Sequence, residues 1–375
     1  MARRVFLRPW ALALAVTLAA GSALMASPAW AQGSGASEFA LNGVACTGPS
    51  NCLAVGDYDN STGASEPLSE RWNGTKWSEL TVHGPVYSGL QAVSCPAAAE
   101  CLAVGFSRYG TLAEAWNGTA WTAVPSPAPA GAIESALLSI SCASSRSCLA
   151  VGDYLNGKST ELTLAEAWNG SKWSLVPSPD RSGVTGSELA AVSCTRATSC
   201  EAVGDSFNST GNSATLAERW NGTSWSIAAS PNSPGGSEDV LTGVSCLSLS
   251  HCTAVGDYAA LNGTSPPLIE NWNGTAWKLV AGATGNGELD SVACTGGSAC
   301  VAVGSYAESQ TSAGWKHSAI VTPKGTYGAV LASVSCPAAS KCLAVGFSTG
   351  DASDTTYNLA EAWNGSSWAL LTIPN

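Results

Sequence analysis

Residues 101–127, CLAVGFSRYGTLAEAWNGTAWTAVPSP, contain most of one repeating unit of the chain. A short apolar run ends at Gly105, the segment 112–116 alternates apolar and polar residues, and the segment 119–124 follows an Asn-Gly dipeptide. The alternating segment 90–95, LQAVSC, lies just upstream. Short alternating runs separated by Gly, Asn and Pro are typical of β-strands joined by turns. The unit therefore predicts four short strands.

Each unit carries one cysteine pair in the pattern Cys-x5-Cys. Seven such pairs account for all 14 cysteines: Cys46/Cys52, Cys95/Cys101, Cys142/Cys148, Cys194/Cys200, Cys246/Cys252, Cys294/Cys300 and Cys336/Cys342. Their first cysteines lie 49, 47, 52, 52, 48 and 42 residues apart. A period of this length, built from strands and turns, predicts an all-β fold, a seven-bladed β-propeller of four-stranded antiparallel blades.

The spacing within each pair can close the base of a hairpin loop, which predicts one intra-blade disulfide per blade. Disulfides of this kind belong to an oxidising compartment. Zinc sites instead combine closer cysteine pairs with further cysteines or histidines, and the chain has only 3 histidines. We therefore expect no metal ligands and no cofactor.

The dipeptide Asn117-Gly118 between two tryptophans predicts a two-residue type I′ hairpin. That register places Trp116 opposite Thr119 and Glu114 opposite Trp121. Both tryptophans then share one face of the sheet, which we expect to pack against the neighbouring blade. Asn-Gly-Thr also matches a glycosylation acceptor pattern, but the turn accounts for Asn-Gly without it.

The succession CLAVG, LAEAWNGTAW and TAVPSP resembles the Kelch repeat, in which a hydrophobic strand ends in glycines and an aromatic hairpin is followed by a proline-containing exit. The resemblance covers residues 38–375 and implies a seven-bladed propeller similar to the Kelch and galactose-oxidase propellers. Two positions depart from the motif, since its double glycine is here Val-Gly and its Tyr-Asp-Pro is here Trp-Asn-Gly. The galactose-oxidase resemblance also implies a copper site of tyrosine and histidine, but His83, His251 and His317 provide no convincing ligand set.

The sixth unit departs from the others, with one tryptophan, Trp315, and no Asn-Gly hairpin. Its third and fourth strands are predicted around a turn at Pro323-Lys324-Gly325. The chain begins on a first strand near Phe39 and finishes on a fourth strand, so no strand is shared across the seam. Ring closure is therefore expected to depend on packing of blade seven against blade one.

The N-terminus has a basic start, an apolar run and the small-x-small sequence Ala29-Trp30-Ala31, which predict a signal peptide over residues 1–31 cleaved after Ala31. Arg3-Arg4 leaves the general secretory and twin-arginine routes both open. Residues 32–37 form a short linker, and residues 38–375 one propeller domain. We expect a secreted monomer without membrane insertion. Cleavage removes three arginines and no acids and so lowers the net charge from −11 to −14, which argues against nucleic acid as a partner.

The joints between strands 2 and 3 and between one blade and the next open on one side of the disc, and they vary in length and sequence. We call this side the variable face, and the side with the disulfide loops and Asn-Gly turns the constant face. Loops that vary on a rigid scaffold are usual places for binding sites. An aromatic residue follows the strand-two glycine in every unit: Tyr58, Phe106, Tyr154, Phe207, Tyr258, Tyr306 and Phe347. They are candidate ligand platforms, or alternatively plugs that cover each blade's end.

Residues that break the repeat are the best candidates for specific chemistry. Arg108 and Tyr109 join the candidate ligand-binding residues, and the others are Lys158, Trp315, Lys316, His317, Asp351, Asp354 and Tyr357. The aspartates after the strand-two glycine could ligate calcium or, as we favour, cap loop amides: Asp57, Asp153, Asp205 and Asp257. A glutamate recurs before the hairpin in six units: Glu70, Glu114, Glu166, Glu218, Glu270 and Glu361.

Six equivalent glutamates favour a structural role, because a glycosidase needs one acid and one base in contrasting environments. We identify no catalytic residues. The leading hypothesis is a secreted non-catalytic propeller that binds a carbohydrate, cell-wall polymer or extracellular protein through the variable face. The alternative is an extracellular glycan-processing hydrolase or lyase with a site at the mouth of the axial channel. Carboxylates converging at that mouth would favour the enzyme. A surface or matrix component with no small ligand is the third possibility.

Overall fold

A computed structural model describes residues 38–280, 285–296, 299–350 and 355–375. The predicted signal peptide and linker lie outside these residues. No helix in the described part of the chain has the length and apolar character needed to cross a membrane. The described residues form 28 strands in seven successive groups of four.

The first and second strands of each blade carry the disulfide loop between them. The first strands are β1 (Phe39–Gly48), β5 (Ser88–Ala97), β9 (Ala132–Ser144), β13 (Gly186–Arg196), β17 (Gly236–Ser248), β21 (Leu289–Cys294) and β25 (Thr326–Ala338). The second strands are β2 (Asn51–Asp59), β6 (Glu100–Ser107), β10 (Ser147–Asn156), β14 (Ser199–Phe207), β18 (His251–Ala260), β22 (Cys300–Gly304) and β26 (Lys341–Gly350).

The third and fourth strands form the outer hairpin of each blade. The third strands are β3 (Ser65–Trp72), β7 (Gly110–Trp116), β11 (Glu161–Trp168), β15 (Ser213–Trp220), β19 (Pro267–Trp272), β23 (Ala307–Thr311) and β27 (Thr356–Trp363). The fourth strands are β4 (Trp77–Glu79), β8 (Trp121–Ala123), β12 (Trp173–Leu175), β16 (Trp225–Ala228), β20 (Trp277–Leu279), β24 (Gly314–Ser318) and β28 (Trp368–Leu370).

Within every blade the four strands pair antiparallel in chain order. All seven disulfides join a first strand to the second strand of the same blade, with Cα atoms 4.0–4.1 Å apart. The predicted fold class, a seven-bladed propeller of four-stranded antiparallel blades with one intra-blade disulfide each, is confirmed.

The two cysteines of a pair differ in burial. The first cysteine of each pair is half-buried. The second is buried with an exposed fraction of 1–4% in every blade: Cys52, Cys101, Cys148, Cys200, Cys252, Cys300 and Cys342. The reason is the packing of the second strand, whose alternate residues face the neighbouring blade.

The buried cysteines belong to the cores between blades and not to an accessible site. Cys52 packs in one cluster with Leu343 and Val345 of blade 7, and Cys101 packs with Leu53 and Val55 of blade 1. Cys148 and Cys342 lie in the corresponding cores of blades 3 and 7. The second cysteine of each pair is therefore a structural residue, since a side chain buried in this way cannot contact a ligand.

A bulge in the first strand explains why the Ala-Val-Gly motif of the second strand ends in glycine. In blade 3 the register shifts by one residue after the fully buried Leu137, and the same shift follows the corresponding leucine of every other blade. The bulged backbone presses on the second strand, since a Cβ at Gly152 would lie 2.1 Å from the carbonyl oxygen of Ala136. Only glycine fits such an approach.

Serines of the innermost strands connect neighbouring blades. The hydroxyl of the serine before the first cysteine accepts a hydrogen bond from the cysteine N–H of the next blade at five of the seven joints, with distances of 2.9–3.1 Å. At the other two joints that position holds Ala45 and Ala293. The first strands contact one another in sequence around the ring, so they lie closest to its axis.

The seam between blades 7 and 1 is built like the other joints. Cys46 and Val44 donate their N–H groups to the hydroxyls of Ser335 and Ser333 at 3.0 and 3.1 Å. Leu343 of blade 7 packs in the same core cluster as the hairpin tryptophans of blade 1. Each blade is contiguous in sequence, which confirms that closure depends on packing and not on a shared strand.

The predicted register of the Asn-Gly hairpin is wrong. Trp116 pairs with Trp121, and Glu114 pairs with Ala123, so the loop has four residues and not two. Asn117 keeps a negative φ, while Gly118 has a φ of 96°. The Asn117 Oδ1 atom accepts hydrogen bonds from the Thr119 N–H and hydroxyl and from the Ala120 N–H at 2.8–2.9 Å. This side-chain cap stabilises the longer loop.

The hairpin tryptophans lie on the face that packs against the preceding blade, as predicted. Trp116 and Trp121 are buried in one cluster with Leu53 and Val55 of blade 1, and their ring centroids are 5.4 Å apart. In blade 6 the turn lies between Thr311 and Gly314, at residues 312–313. The prediction of a turn at Pro323-Lys324-Gly325 is therefore wrong, because that segment belongs to the link towards blade 7.

Candidate functional site

Exposed large apolar side chains are unevenly distributed over the disc. In the described part of the chain, those in or next to the joints of the variable face are Val86, Tyr87, Tyr109, Ile133, Leu261, Tyr327 and Tyr357. The constant face exposes Leu247 and Leu249, and the fourth strands expose Leu175, Ile227, Leu279 and Leu370 at the outer rim. Leu261, Tyr109 and Tyr327 are the most exposed, at 90%, 77% and 62%. The variable face therefore holds seven of the thirteen exposed large apolar side chains in the described part of the chain.

The aromatic residues after the strand-two glycine do not lie on one side of their sheets. They are one residue past the glycine at Phe106 and Phe347, three at Phe207, and two in the other four blades. Because side chains alternate along a strand, the odd and even positions point to opposite faces. The seven residues therefore do not form one uniform ring.

Several of these aromatics are engaged inside their own blades. Tyr58 stacks on Phe39 with centroids 5.7 Å apart and donates its hydroxyl to Glu66 at 2.8 Å. Tyr154 and Tyr258 pack against the cores of their blades. The ring of Phe207 lies where a Cβ on Gly186 would be. Tyr306 is buried and lies 5.1 Å from the His317 ring.

The other candidates that break the repeat are dispersed. Lys158 is exposed in the strand 2–3 joint of blade 3, and Lys316 and His317 are exposed on β24. Trp315 is buried in the core between blades 5 and 6, and Tyr357 is 39% exposed. Asp351 and Asp354 lie outside the described residues.

Arg108 and Tyr109 are brought together with a third residue, Tyr87, which the sequence pattern does not indicate. The guanidinium carbon of Arg108 lies 5.6 Å from the Tyr87 ring centroid and 5.3 Å from that of Tyr109. Both distances fall within the range of cation–π interactions. Tyr87 is 42% exposed and Tyr109 is 77% exposed, while neighbouring Val86 is 46% exposed. We call Val86, Tyr87, Arg108 and Tyr109 the Tyr87–Tyr109 platform.

The backbone at Tyr87 is unusual. Its φ of 63° lies in the left-handed region, which costs a non-glycine residue about 1–2 kcal/mol. The Tyr87 N–H donates to Ser65 O of blade 1 at 2.8 Å, and its carbonyl accepts from Arg108 N–H of blade 2 at 3.0 Å. In the joint between blades 5 and 6, Gly287 with a φ of 146° makes the corresponding bond to Ser265. The platform thus spans two blades and keeps a tyrosine where glycine would be less strained.

The repeated glutamates hold the link from the preceding blade. Register places all six predicted glutamates opposite the alanine of the second strand, and Glu308 occupies the same position in blade 6. Ser126, Ser178 and Ser230 of the exit segments donate to Glu166, Glu218 and Glu270 at 2.9–3.1 Å. Val321 N–H donates to Glu361 at 2.9 Å.

These carboxyl groups are buried between blades, and burial disfavours the charged form. It raises the pKa of Glu70, Glu218 and Glu270 to about 8 and that of Glu114, Glu166 and Glu361 to about 7. The hydrogen bonds from Ser126 and Ser178 oppose the rise of the pKa at their glutamates.

The aspartates after the strand-two glycine have different environments in different blades. Asp57 accepts a hydrogen bond from Asn42 at 2.8 Å, and burial raises its pKa to about 7. Asp153 groups with Glu161 and Glu188, whose carboxylate oxygens all lie within 4.8 Å of one another, an arrangement that could hold a cation.

A second acidic group lies close to the axis in blades 5 and 6. Asp290 is the bulged residue of a first strand, and burial raises its pKa to about 8, helped by Glu288 and Asp257. Burial and the charge of Glu288 also raise the pKa of Asp257 to about 7. Carboxyl groups therefore converge on the inner strands of these two blades.

An open cavity of about 500 Å³ lies at the seam of the ring. Trp72, Thr75, Lys76 and Trp77 of the blade 1 hairpin line it together with residues 370–374 of blade 7. Both tryptophans are buried, so the cavity offers no exposed aromatic face to a ligand.

Comparison with known proteins identifies a fold and no family. No protein-family model and no curated sequence matches the chain. Among solved structures, the BP39L lectin from Burkholderia pseudomallei is 11% identical over 88% of this chain and 98% of its own, with a TM-score of 0.61.

Two WD40 structures are similar at a lower level. The RRP9 WD40 repeats are 10% identical over 83% of this chain and 90% of their own, with a TM-score of 0.53. The Neurospora crassa Pan2 WD40 domain is 10% identical over 88% of this chain and 91% of its own, with a TM-score of 0.51. Sequence identities of 10–11% to these structures show only that the chain is a β-propeller. The finer resemblance to the Kelch repeat stays a prediction.

Proposed function

We propose that the protein is a secreted, non-catalytic binding protein that takes a carbohydrate, cell-wall component or extracellular protein through its variable face. The observation that carries the proposal is the concentration of exposed tyrosine and aliphatic side chains on that face. Variable loops that present exposed side chains on a rigid scaffold are typical of binding surfaces. One propeller of similar fold is a lectin, which supports a binding role of this class.

Export is part of the same proposal. The basic start, apolar run and Ala29-Trp30-Ala31 of residues 1–31 support a cleaved signal peptide. Seven disulfides and the absence of free cysteines among the described residues support an oxidising compartment. Mass spectrometry of the secreted protein tests this part, since cleavage after Ala31 would leave Gln32 at the N-terminus.

The binding experiment compares the two faces. The protein beginning at Gln32, with its disulfides formed, is applied to a glycan array and to cell-wall and secreted-protein fractions. A Y87G/Y109A/Y327A variant should lose the binding of the wild type, whereas L247A/L249A on the constant face should keep it. Equal loss in both variants, or retention in the first, would show that the variable face is not the binding surface.

The glycan-processing alternative has one observation in its favour, the convergence of Asp257, Glu288 and Asp290 near the axis. Burial raises the pKa of both Asp257 and Asp290, so this pair lacks the contrast between an ionised carboxylate and a protonated acid on which a glycosidase depends. Release of reducing ends or unsaturated products from polysaccharides, abolished in D257N and D290N, would establish the enzyme.

A further inference from the structure

We propose that the Tyr87–Tyr109 platform binds a saccharide that carries a carboxylate, with the sugar ring on the tyrosines and the carboxylate on Arg108. This inference rests on the proposed function, because it assigns a ligand class to one part of the variable face.

The cation at the platform is available to a ligand. Arg108 is exposed and makes no ion pair with any residue that the structure describes, although the chain carries 27 acidic residues against 16 basic ones. Its guanidinium is held by the two tyrosine rings instead. A guanidinium positioned in this way keeps its hydrogen-bond donors for an anion, and carboxylates are its preferred bidentate partner.

The tyrosines provide the second element of recognition. The face of an aromatic ring is electron-rich and packs against the C–H groups of a pyranose, while the phenolic hydroxyls can bond to sugar hydroxyls. Tyr87 holds its ring at this point despite a φ of 63°. A residue kept in a strained conformation, with its backbone fixed by hydrogen bonds from two blades, is a mark of functional sites.

The size of the platform favours a saccharide over a protein. A stable protein interface buries about 800 Å² on each partner, whereas each tyrosine contributes at most roughly 200 Å². Two tyrosines, one arginine and Val86 therefore cover a small ligand. The third strands that border the variable face are also paired on both sides within their blades, so a peptide strand cannot be added there.

The test uses oligogalacturonate as the probe and its fully methyl-esterified form as the neutral match. The wild-type protein beginning at Gln32 should bind the acidic oligomer with a salt-dependent affinity and the ester at least tenfold more weakly. R108Q and Y109A should each weaken binding of the acid at least tenfold. Y87G should do the same without loss of stability, because glycine tolerates the positive φ.

Two variants on the same face serve as controls. K158Q removes an exposed cation and Y327A an exposed tyrosine away from the platform, and both should bind the acid like wild type. Poly-glutamate is the control for charge alone, and equal binding of it would overturn the assignment to a saccharide. Binding of the acid that survives R108Q, or equal binding of acid and ester, would also overturn the inference.

The outcome separates the inference from the proposed function. If another glycan or a protein binds the wild type and is lost in Y87G/Y109A/Y327A, the variable face is a binding surface and only the carboxylate assignment fails. If no ligand depends on that face, both fail.

Discussion

The two faces of the disc are made by the same seven blades under opposite constraints. On the constant face each blade repeats a disulfide loop, and six repeat a Trp-Asn-Gly turn, so the residues there satisfy needs common to all blades. On the variable face the loops differ in length and sequence from blade to blade. The combination of Tyr87, Arg108 and Tyr109 has no counterpart in the other units. The residues common to all blades therefore account for the packing of the ring, whereas the proposed binding surface consists of residues that the repeat does not share. Substitutions should therefore separate stability from binding.

The largest effect should come from pH acting on the repeated part of the fold. Each buried glutamate with a raised pKa is stabilising as the protonated acid, and this stability is fully present below the unfolded pKa near 4.5. It is lost as the pH rises through the folded pKa values of about 7 to 8. The free energy of unfolding should fall by on the order of several kcal/mol between pH 5 and pH 9.

Denaturant unfolding at a series of pH values measures this fall, with the disulfides kept intact. E218Q keeps a group that can bond to Ser178 but cannot ionise, so its stability should depend less on pH than that of the wild type. An unchanged pH profile in E218Q would show that the buried carboxyl groups ionise without cost.

A buried hairpin tryptophan should matter far more than an exposed tyrosine. Trp225 is 5% exposed and packs against blade 3, whereas Tyr327 is 62% exposed on the variable face. W225A should lower the free energy of unfolding by about 3–5 kcal/mol, since it leaves a large cavity. Y327A should change it by less than about 0.5 kcal/mol. Thermal or denaturant midpoints of W225A and Y327A measure the two losses of stability. Similar losses in both variants would contradict the expected difference between the buried and the exposed side chain.

Removing one disulfide should cost less than removing a tryptophan. The double variant C194A/C200A opens a loop with a sequence separation of 6, for which chain entropy gives about 2 kcal/mol. Denaturant midpoints of oxidised protein would measure the loss, and glycan or protein binding should be retained. Loss of binding at unchanged stability would show that the constant face also takes part in recognition.

The smallest effect concerns the indole N–H of the second hairpin tryptophan, which has a hydrogen-bond acceptor on the preceding blade in blade 2 but, in the described part of the chain, not in blade 5. Trp121 donates its indole N–H to Ser69 of the preceding blade at 3.0 Å, whereas Trp277 packs against Ala217 with no acceptor from the described residues. A217S should raise the free energy of unfolding by about 1 kcal/mol, and S69A should lower it by a similar amount. Opposite signs in the two variants are the diagnostic result, and a loss in both would indicate overpacking at Ala217.

The fold was predictable because its determinants are local and repeated. The cysteine spacing and the alternation of strands sufficed for blade number, strand order and disulfide pairing. The burial of the second cysteine was not predicted, because it depends on the neighbouring blade. The predicted hairpin register was wrong. Asn-Gly alone favours a two-residue turn, but three hydrogen bonds accepted by Asn117 Oδ1 stabilise the four-residue loop instead. Glu308 was missed because blade 6 lacks the tryptophan hairpin that marks the other glutamates.

The platform could be predicted only in part. Arg108 and Tyr109 break the repeat and were identified for that reason. Tyr87 lies in the link between blades 1 and 2, where neither spacing nor composition indicates a positive φ or the approach of Arg108 from the next blade. Such a contact depends on how two blades pack, which no local pattern encodes.

The seam between blades 7 and 1 has a consequence for the order of blades along the chain. Because every blade is contiguous and the seam uses the same serine-to-cysteine bond as other joints, the ring has no privileged first blade. A circular permutant opened between blades 3 and 4, with the original ends joined by a flexible linker, would keep every contact described above.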